Sequence, residues 1–129
     1  MPSRLFVAVI AIVLLAGAVV AAAPQDSNSV TLGVLSGQSR EWNRASLEAF
    51  RQGLRELGWE EGKNLAIEER FSDGDAARLP ALAAELVRRK VDVILASTSA
   101  GTRAAKKATK TIPIIMVDVG DPVATKLVT

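Results

Sequence analysis

From residue 30 onward, short apolar runs alternate with longer segments whose apolar residues recur at helical spacing, and this alternation constrains the fold more than any other feature. Val30–Ser36 reads as a buried strand. Leu47, Phe50, Leu54 and Leu57 then share one helical face, and Gly58 stands where a left-handed residue closes a helix. Leu65–Phe71 is a second strand whose mixed polarity suits a sheet edge. After the turn Ser72–Asp75, Leu79, Leu82, Ala83, Leu86 and Val87 form a second helical stripe, with Pro80 in its first turn, where a missing N–H is tolerated. Val91–Ala96 is apolar and largely β-branched, as a central strand should be. An Ala-rich helix over about Thr102–Thr109 follows. Ile112–Val117 is a fourth strand with Pro113 at its start. Asp118–Pro122 is a loop, and a further helix is expected from Val123.

The connections are too long for hairpins and each carries a helix, which demands a parallel sheet covered on both faces. The fold class is therefore α/β. Right-handed crossovers make it a doubly wound parallel sheet of strand order 2-1-3-4. Val123–Thr129 opens a helix without a cap or a following strand, so residues 30–129 read as a lobe that is cut short.

The N-terminus is of another kind. Arg4 precedes an unbroken apolar run from Leu5 to Val20, and Ala21-Ala22-Ala23 follow. A permanent membrane anchor has the same hydropathy, but the small-residue exit favours a signal peptide over residues 1–22. Pro24 fixes its φ and lacks an N–H, which disfavours a cut directly before it and points to cleavage after Ala21 or Ala22. Residues 23–29 read as a flexible leader. With no Cys, there is no acceptor for a lipid anchor.

The absences narrow the chemistry. The chain has no His and no Cys, which removes Ser-His-Asp triads, thiol catalysis, disulfides and imidazole or thiolate metal sites. Sixteen basic residues against fourteen acidic ones are interleaved. No basic block alternates with aromatic residues, so a nucleic-acid partner is not expected. Gly58–Asn64 imitates a phosphate loop but is one residue short between its glycines. It also leads from a helix into a strand, the reverse of the order such loops need. No glycine-rich dinucleotide fingerprint follows the first strand, and the third strand ends in Ala96-Ser97 rather than the Asp of a phospho-acceptor domain. No cofactor, no metal and no enzymatic activity are expected.

Small polar residues converge at the strand C-terminal ends: Ser36 and Gln38, then Ser97, Thr98 and Ser99, then Asp118 and Asp121. Ligands of open parallel sheets sit in the crevice beyond those ends. The hydroxyls and a helix N-terminus near Ala100 suit a carboxylate, and Asp118 or Asp121 suits an ammonium group. The competing reading makes Ser and Thr helix caps and Asp121-Pro122 a helix start. Trp42 opens the first helix beside this crevice, where it can stack on a ligand ring or simply be exposed. Trp59 is expected beneath the helix end. The cations Arg88-Arg89-Lys90 and Lys106-Lys107 fall at helix C-termini, where they complement the helix dipole.

Several blocks together resemble the ABC transporter substrate-binding family: Leu47–Trp59 with Glu61–Asn64, Arg78–Val87 leading into Val91–Ile94, and Ile112–Ile114 with Gly120–Val123. The resemblance covers nearly all of residues 30–129. It implies a type 1 periplasmic binding fold of two lobes that closes on a small solute, with an aromatic amino acid among the possibilities. It also implies a periplasmic location and a membrane permease as partner. An extracellular sensory or interaction domain of the same fold stays open, as does a doubly wound enzyme whose other half lies elsewhere.

Overall fold

The computed structural model describes residues 29–118, 120, 123, 124 and 126–128. The expected signal segment, the leader up to Asn28, and Asp121 lie outside them. Four strands, β1 (Val30–Ser36), β2 (Leu65–Phe71), β3 (Val93–Ser97) and β4 (Ile114–Val117), alternate with helices α1 (Arg40–Glu56), α2 (Leu79–Arg88) and α3 (Ser99–Ala108). The sheet order is β2-β1-β3-β4 and every neighbouring pair is parallel. The doubly wound α/β expectation holds, strand order included. Among the described residues no helix is long and apolar enough to cross a membrane.

Strand alternation builds two cores. Val30, Leu32 and Val34 of β1 and Val93 and Leu95 of β3 pack with Leu47 and Leu54 of α1 on one face. Leu35, Ile94 and Ala96 pack with Leu79, Ala83 and Leu86 of α2 and Ala104 and Ala105 of α3 on the other. Gly33 belongs to this second face because a Cβ there would lie 3.2 Å from both Leu86 methyls and from Val91 Cγ2.

Helix α1 starts at Ser39, whose side chain accepts the Trp42 N–H. It stops in a Schellman turn: the Gly58 N–H reaches the Arg55 carbonyl and the Trp59 N–H reaches that of Leu54. Gly58 has φ +92°, as a left-handed closing residue requires. Trp59 and Leu54, the hydrophobic pair of that motif, both enter the α1-side core. The expected stripe is corrected at Leu57, which caps the helix and is 53% exposed.

The mixed polarity of β2 has a structural reason. On the α1 face Glu69 meets Arg51 at 2.9 Å and Arg40 at 3.1 Å. On the α2 face Glu68 meets Arg89 at 2.7 Å, and Arg70 lies between Glu68 and Glu85. Charge on both faces ties the strand to its helices and makes the edge a poor template for another chain. Burial alone would lower the proton affinity of Arg51, but hydrogen bonding and attraction from Glu61 and Glu69 raise it above its ordinary value.

Four boundaries differ from the sequence reading. Strand β3 begins at Val93 because Asp92 folds its carboxylate onto the Thr31 N–H at 2.7 Å. Helix α3 begins at Ser99, since Thr98 caps it through the Gly101 N–H at 3.1 Å. Strand β4 begins at Ile114, although the Pro113 carbonyl already accepts the Ile94 N–H. At Val123 there is one hydrogen-bonded turn to Lys126 in place of the expected helix; Lys126 has φ +58°, a value that does not continue a helix. Lys106 donates to the Leu127 carbonyl and holds the turn against α3.

Candidate functional site

Ser36 of β1 stands opposite Ser97 of β3, which stands opposite Val117 of β4. Level strand ends release their loops along one edge of the sheet. The loops are then laced together. The Ser72 N–H donates to the Ser36 carbonyl, its hydroxyl donates to the Gly37 carbonyl, and the Thr98 N–H donates to that of Val117. A Cβ at Gly37 would sit 3.0 Å from Thr98 Oγ1, so a glycine there lets the first and third loops touch.

Along this edge, between α1 and the β3–β4 half of the sheet, runs a cleft of about 490 Å³. Ser97 and Asp118 line it, and so do Trp42, Asn43 and Ser46 from α1. Its deeper wall is apolar, from Val34, Leu47, Phe50, Leu95 and Val117. Trp42 is 70% exposed, so its ring is available rather than packed. Asp118 is exposed at φ +54° and has no cationic partner among the described residues.

The other residues anticipated for this site stand differently. Ser36 is fully buried, and its hydroxyl oxygen accepts the Gln38 N–H and the Asn43 side-chain amide. It fixes the loop and α1 without reaching the surface. Gln38 is exposed but does not line the cleft. Thr98 and Ser99 form the start of α3, beside the cleft and not on its wall. Asn43 and Ser46 were not anticipated. Their signal was their spacing with Leu47 and Phe50, which places them on the inward face of α1 at the crevice end.

Thr98 is the most constrained residue of the edge. At φ 71° and ψ 157° it occupies backbone territory nearly reserved for glycine, at a cost of about 1–3 kcal/mol. Its side chain caps Gly101, and its carbonyl accepts both the N–H and the hydroxyl of Thr102. The surrounding bonds hold the strain in place. The site offers hydroxyls, an amide, a carboxylate and an exposed indole, which together suit recognition of a small polar–apolar molecule. Among the described residues no group of three or more carboxylates could hold a metal ion.

Comparison with known proteins gives relatives of the sequence and of the fold. The chain is 36% identical over 81 residues to a tyrosine-binding protein of Clostridioides difficile (strain R20291), covering 63% of this chain and 24% of that protein. It therefore spans about a quarter of the length of that curated relative. Among solved structures, a conserved domain protein of Vibrio cholerae O1 biovar El Tor superposes with a TM-score of 0.72 at 32% identity, over 78% of this chain and 34% of the other. An ABC domain from Streptococcus pneumonia in complex with L-Trp gives 0.70 at 25% identity, over 78% and 34%. A ligand-free, open substrate binding protein with adhesive properties from Clostridium difficile gives 0.69 at 28% identity, over 74% and 32%. The model of the ABC transporter substrate binding protein family matches residues 32–129, and the chain belongs to that family.

Proposed function

We propose that residues 30–129 form the N-terminal lobe of an extracytoplasmic solute-binding protein that captures an amino acid, an aromatic one foremost, and delivers it to the permease of an ABC importer. The observation that carries this reading is the polarity gradient of the cleft. Asp118, Ser97, Asn43 and Ser46 are its polar groups, and Trp42, Phe50, Leu95 and Val117 are its apolar ones. An aromatic amino acid has the matching layout, a zwitterionic end and a flat ring. Relatives described as binding tyrosine and L-Trp support the ligand class.

In this reading the lobe supplies one wall of the binding site, so the 129-residue chain alone should bind weakly, with a Kd on the order of millimolar. Titration of the isotope-labelled chain with L-Tyr, L-Trp and L-Ala, followed by NMR, tests it. Amide shifts at Ser97–Gly101 and Asp118 are expected for the aromatic ligands. No shift at these residues would refute the ligand class, and micromolar binding would refute the one-wall argument. Residues 1–22 act in the same reading as an export signal. N-terminal sequencing of the periplasmic protein should then find a start at Ala22 or Ala23, and a start at Met1 would exclude export by cleavage.

A further inference from the structure

On the face of the sheet opposite the cleft, α2 and α3 lie side by side and enclose an open groove of about 350 Å³. Its floor is made of small apolar side chains, Pro80, Ala84, Val87, Ala104 and Ala108. Arg88 at the end of α2 and Lys107 in the last turn of α3 complete the lining. No acidic residue contributes. Arg88 and Lys107 are the charged residues of the lining, and, like Arg55, Lys90 and Lys110, they have no anionic partner among the described residues. Between Leu86 and Val117 the sole carboxylate is Asp92, which is bound to the Thr31 N–H.

We propose that this groove docks an amphipathic, acidic helix of a partner protein. Small side chains on the floor let a third helix approach closely, and the lining runs from Pro80 to Arg88 of α2, about 12 Å or two turns, beside Ala104–Ala108 of α3. The polarity follows from the charges. Arg88 and Lys107 both stand at helix C-terminal ends, so the incoming carboxylates belong at that end of the groove. Acidic residues are favoured in the first turn of a helix, whose N-terminal dipole is positive. The partner helix therefore lies antiparallel to α2 and α3, with its N-terminal turn between Arg88 and Lys107. A concave trough suits a helix better than it suits a flat anionic bilayer, and a second copy of the lobe would bring cation against cation.

The probe is a helical peptide of roughly 12 residues with Ala and Leu on one face and Glu in its first turn. Its control carries Lys in place of Glu. The intact 129-residue chain should bind the Glu peptide at least tenfold more tightly, with NMR shifts centred on Ala84, Val87, Ala104 and Ala108 and an affinity that falls as salt is added. The R88E/K107E variant, altered only at exposed positions, should reverse the preference. Equal binding of both peptides, or shifts elsewhere, would overturn the proposal. Binding of phosphatidylglycerol vesicles that R88E/K107E abolishes, without peptide binding, would replace the helix by a lipid surface. Dimerisation in sedimentation that the variant removes would replace it by a second copy of the chain.

Discussion

Replacing Gly53 and Gly58 by alanine makes the same chemical change at two places in one helix and its cap, and the two variants should move stability in opposite directions. Neither Cβ would meet another atom within 4 Å, so packing drops out and the backbone decides. Gly53 lies inside α1, where glycine is less favourable than alanine by roughly 0.5–1 kcal/mol. Gly53→Ala should gain that amount. Gly58 has φ +92°, and an L side chain there costs about 1–2 kcal/mol. Gly58→Ala should lose that amount, Gly58→Val more, and Gly58→Asn less, since asparagine tolerates the left-handed region. With a urea slope of about 2 kcal/mol/M, in the middle of the range for a small protein, the midpoint should fall by roughly 0.5–1 M for Gly58→Ala and rise by a few tenths for Gly53→Ala. Urea melts followed by circular dichroism at neutral pH supply the measurement. The slope must stay constant for the comparison to hold. Midpoints that move in the same direction would refute the assignment of Gly58 as the closing residue of α1.

Gly33→Ala pushes a methyl to 3.2 Å from Leu86 and Val91 and should destabilise by about 1–3 kcal/mol; an unchanged melt would mean that α2 can retreat. The Arg89 hydrogen bond holds Glu68 below its ordinary value of 4.5, assisted by the charges of Arg89 and Arg70. Its contribution is therefore complete above the ordinary carboxylate range and is lost as pH falls through the lower folded value. Relative to Glu68→Gln, the parent chain should lose stability below about pH 4.5, and parallel pH–stability curves would contradict this. Thr98→Gly and Thr98→Ala both lose the side-chain cap of Gly101, but only glycine relieves the strained backbone. The glycine variant should accordingly be the more stable of the two by about 1 kcal/mol or more in chemical melts, and the reverse order would deny the strain.

Strands bounded by turn residues were legible to the residue, as β1 and β2 illustrate, and the strand order 2-1-3-4 was the natural one for a doubly wound sheet with right-handed crossovers. Two of the boundaries that moved, the starts of β3 and α3, did so where a side chain replaced a backbone partner. Asp92 takes the Thr31 N–H, and Thr98 lends its hydroxyl to α3. Periodicity is blind to such exchanges. Val123–Thr129 is too short a window for its helical pattern to outweigh a left-handed Lys126. At the site, sequence could place Ser36 and Ser97 at level strand ends but could not rank them. Both point to the α1 side of the sheet, yet one is sealed and the other lines a cleft. The difference is the lateral position of α1, whose Asn43 covers the end of β1 and leaves the end of β3 open to the cleft. Nothing in the spacing of a helix says which strand it will lie above.

That offset also bears on how the proposed site would gain affinity. Asp118 is exposed, and an ammonium group about 4 Å from a carboxylate gains only about 1 kcal/mol in bulk water. The same pair at an effective dielectric near 20, typical of a partly enclosed protein site, gains about 4 kcal/mol. The difference of about 3 kcal/mol corresponds to a factor of roughly 150 in Kd. Trp42 responds to enclosure in the same sense, because stacking on an exposed ring is weaker than stacking in a pocket that excludes water. An open lobe with these residues would therefore discriminate poorly among zwitterions, and an opposing wall would sharpen both contacts at once. Asp118→Asn should then change affinity little in the isolated lobe, where the charge is screened. It should weaken binding at least tenfold in a protein in which a second wall closes over the cleft. A loss of equal size in both settings would mean that the lobe alone already excludes water around Asp118.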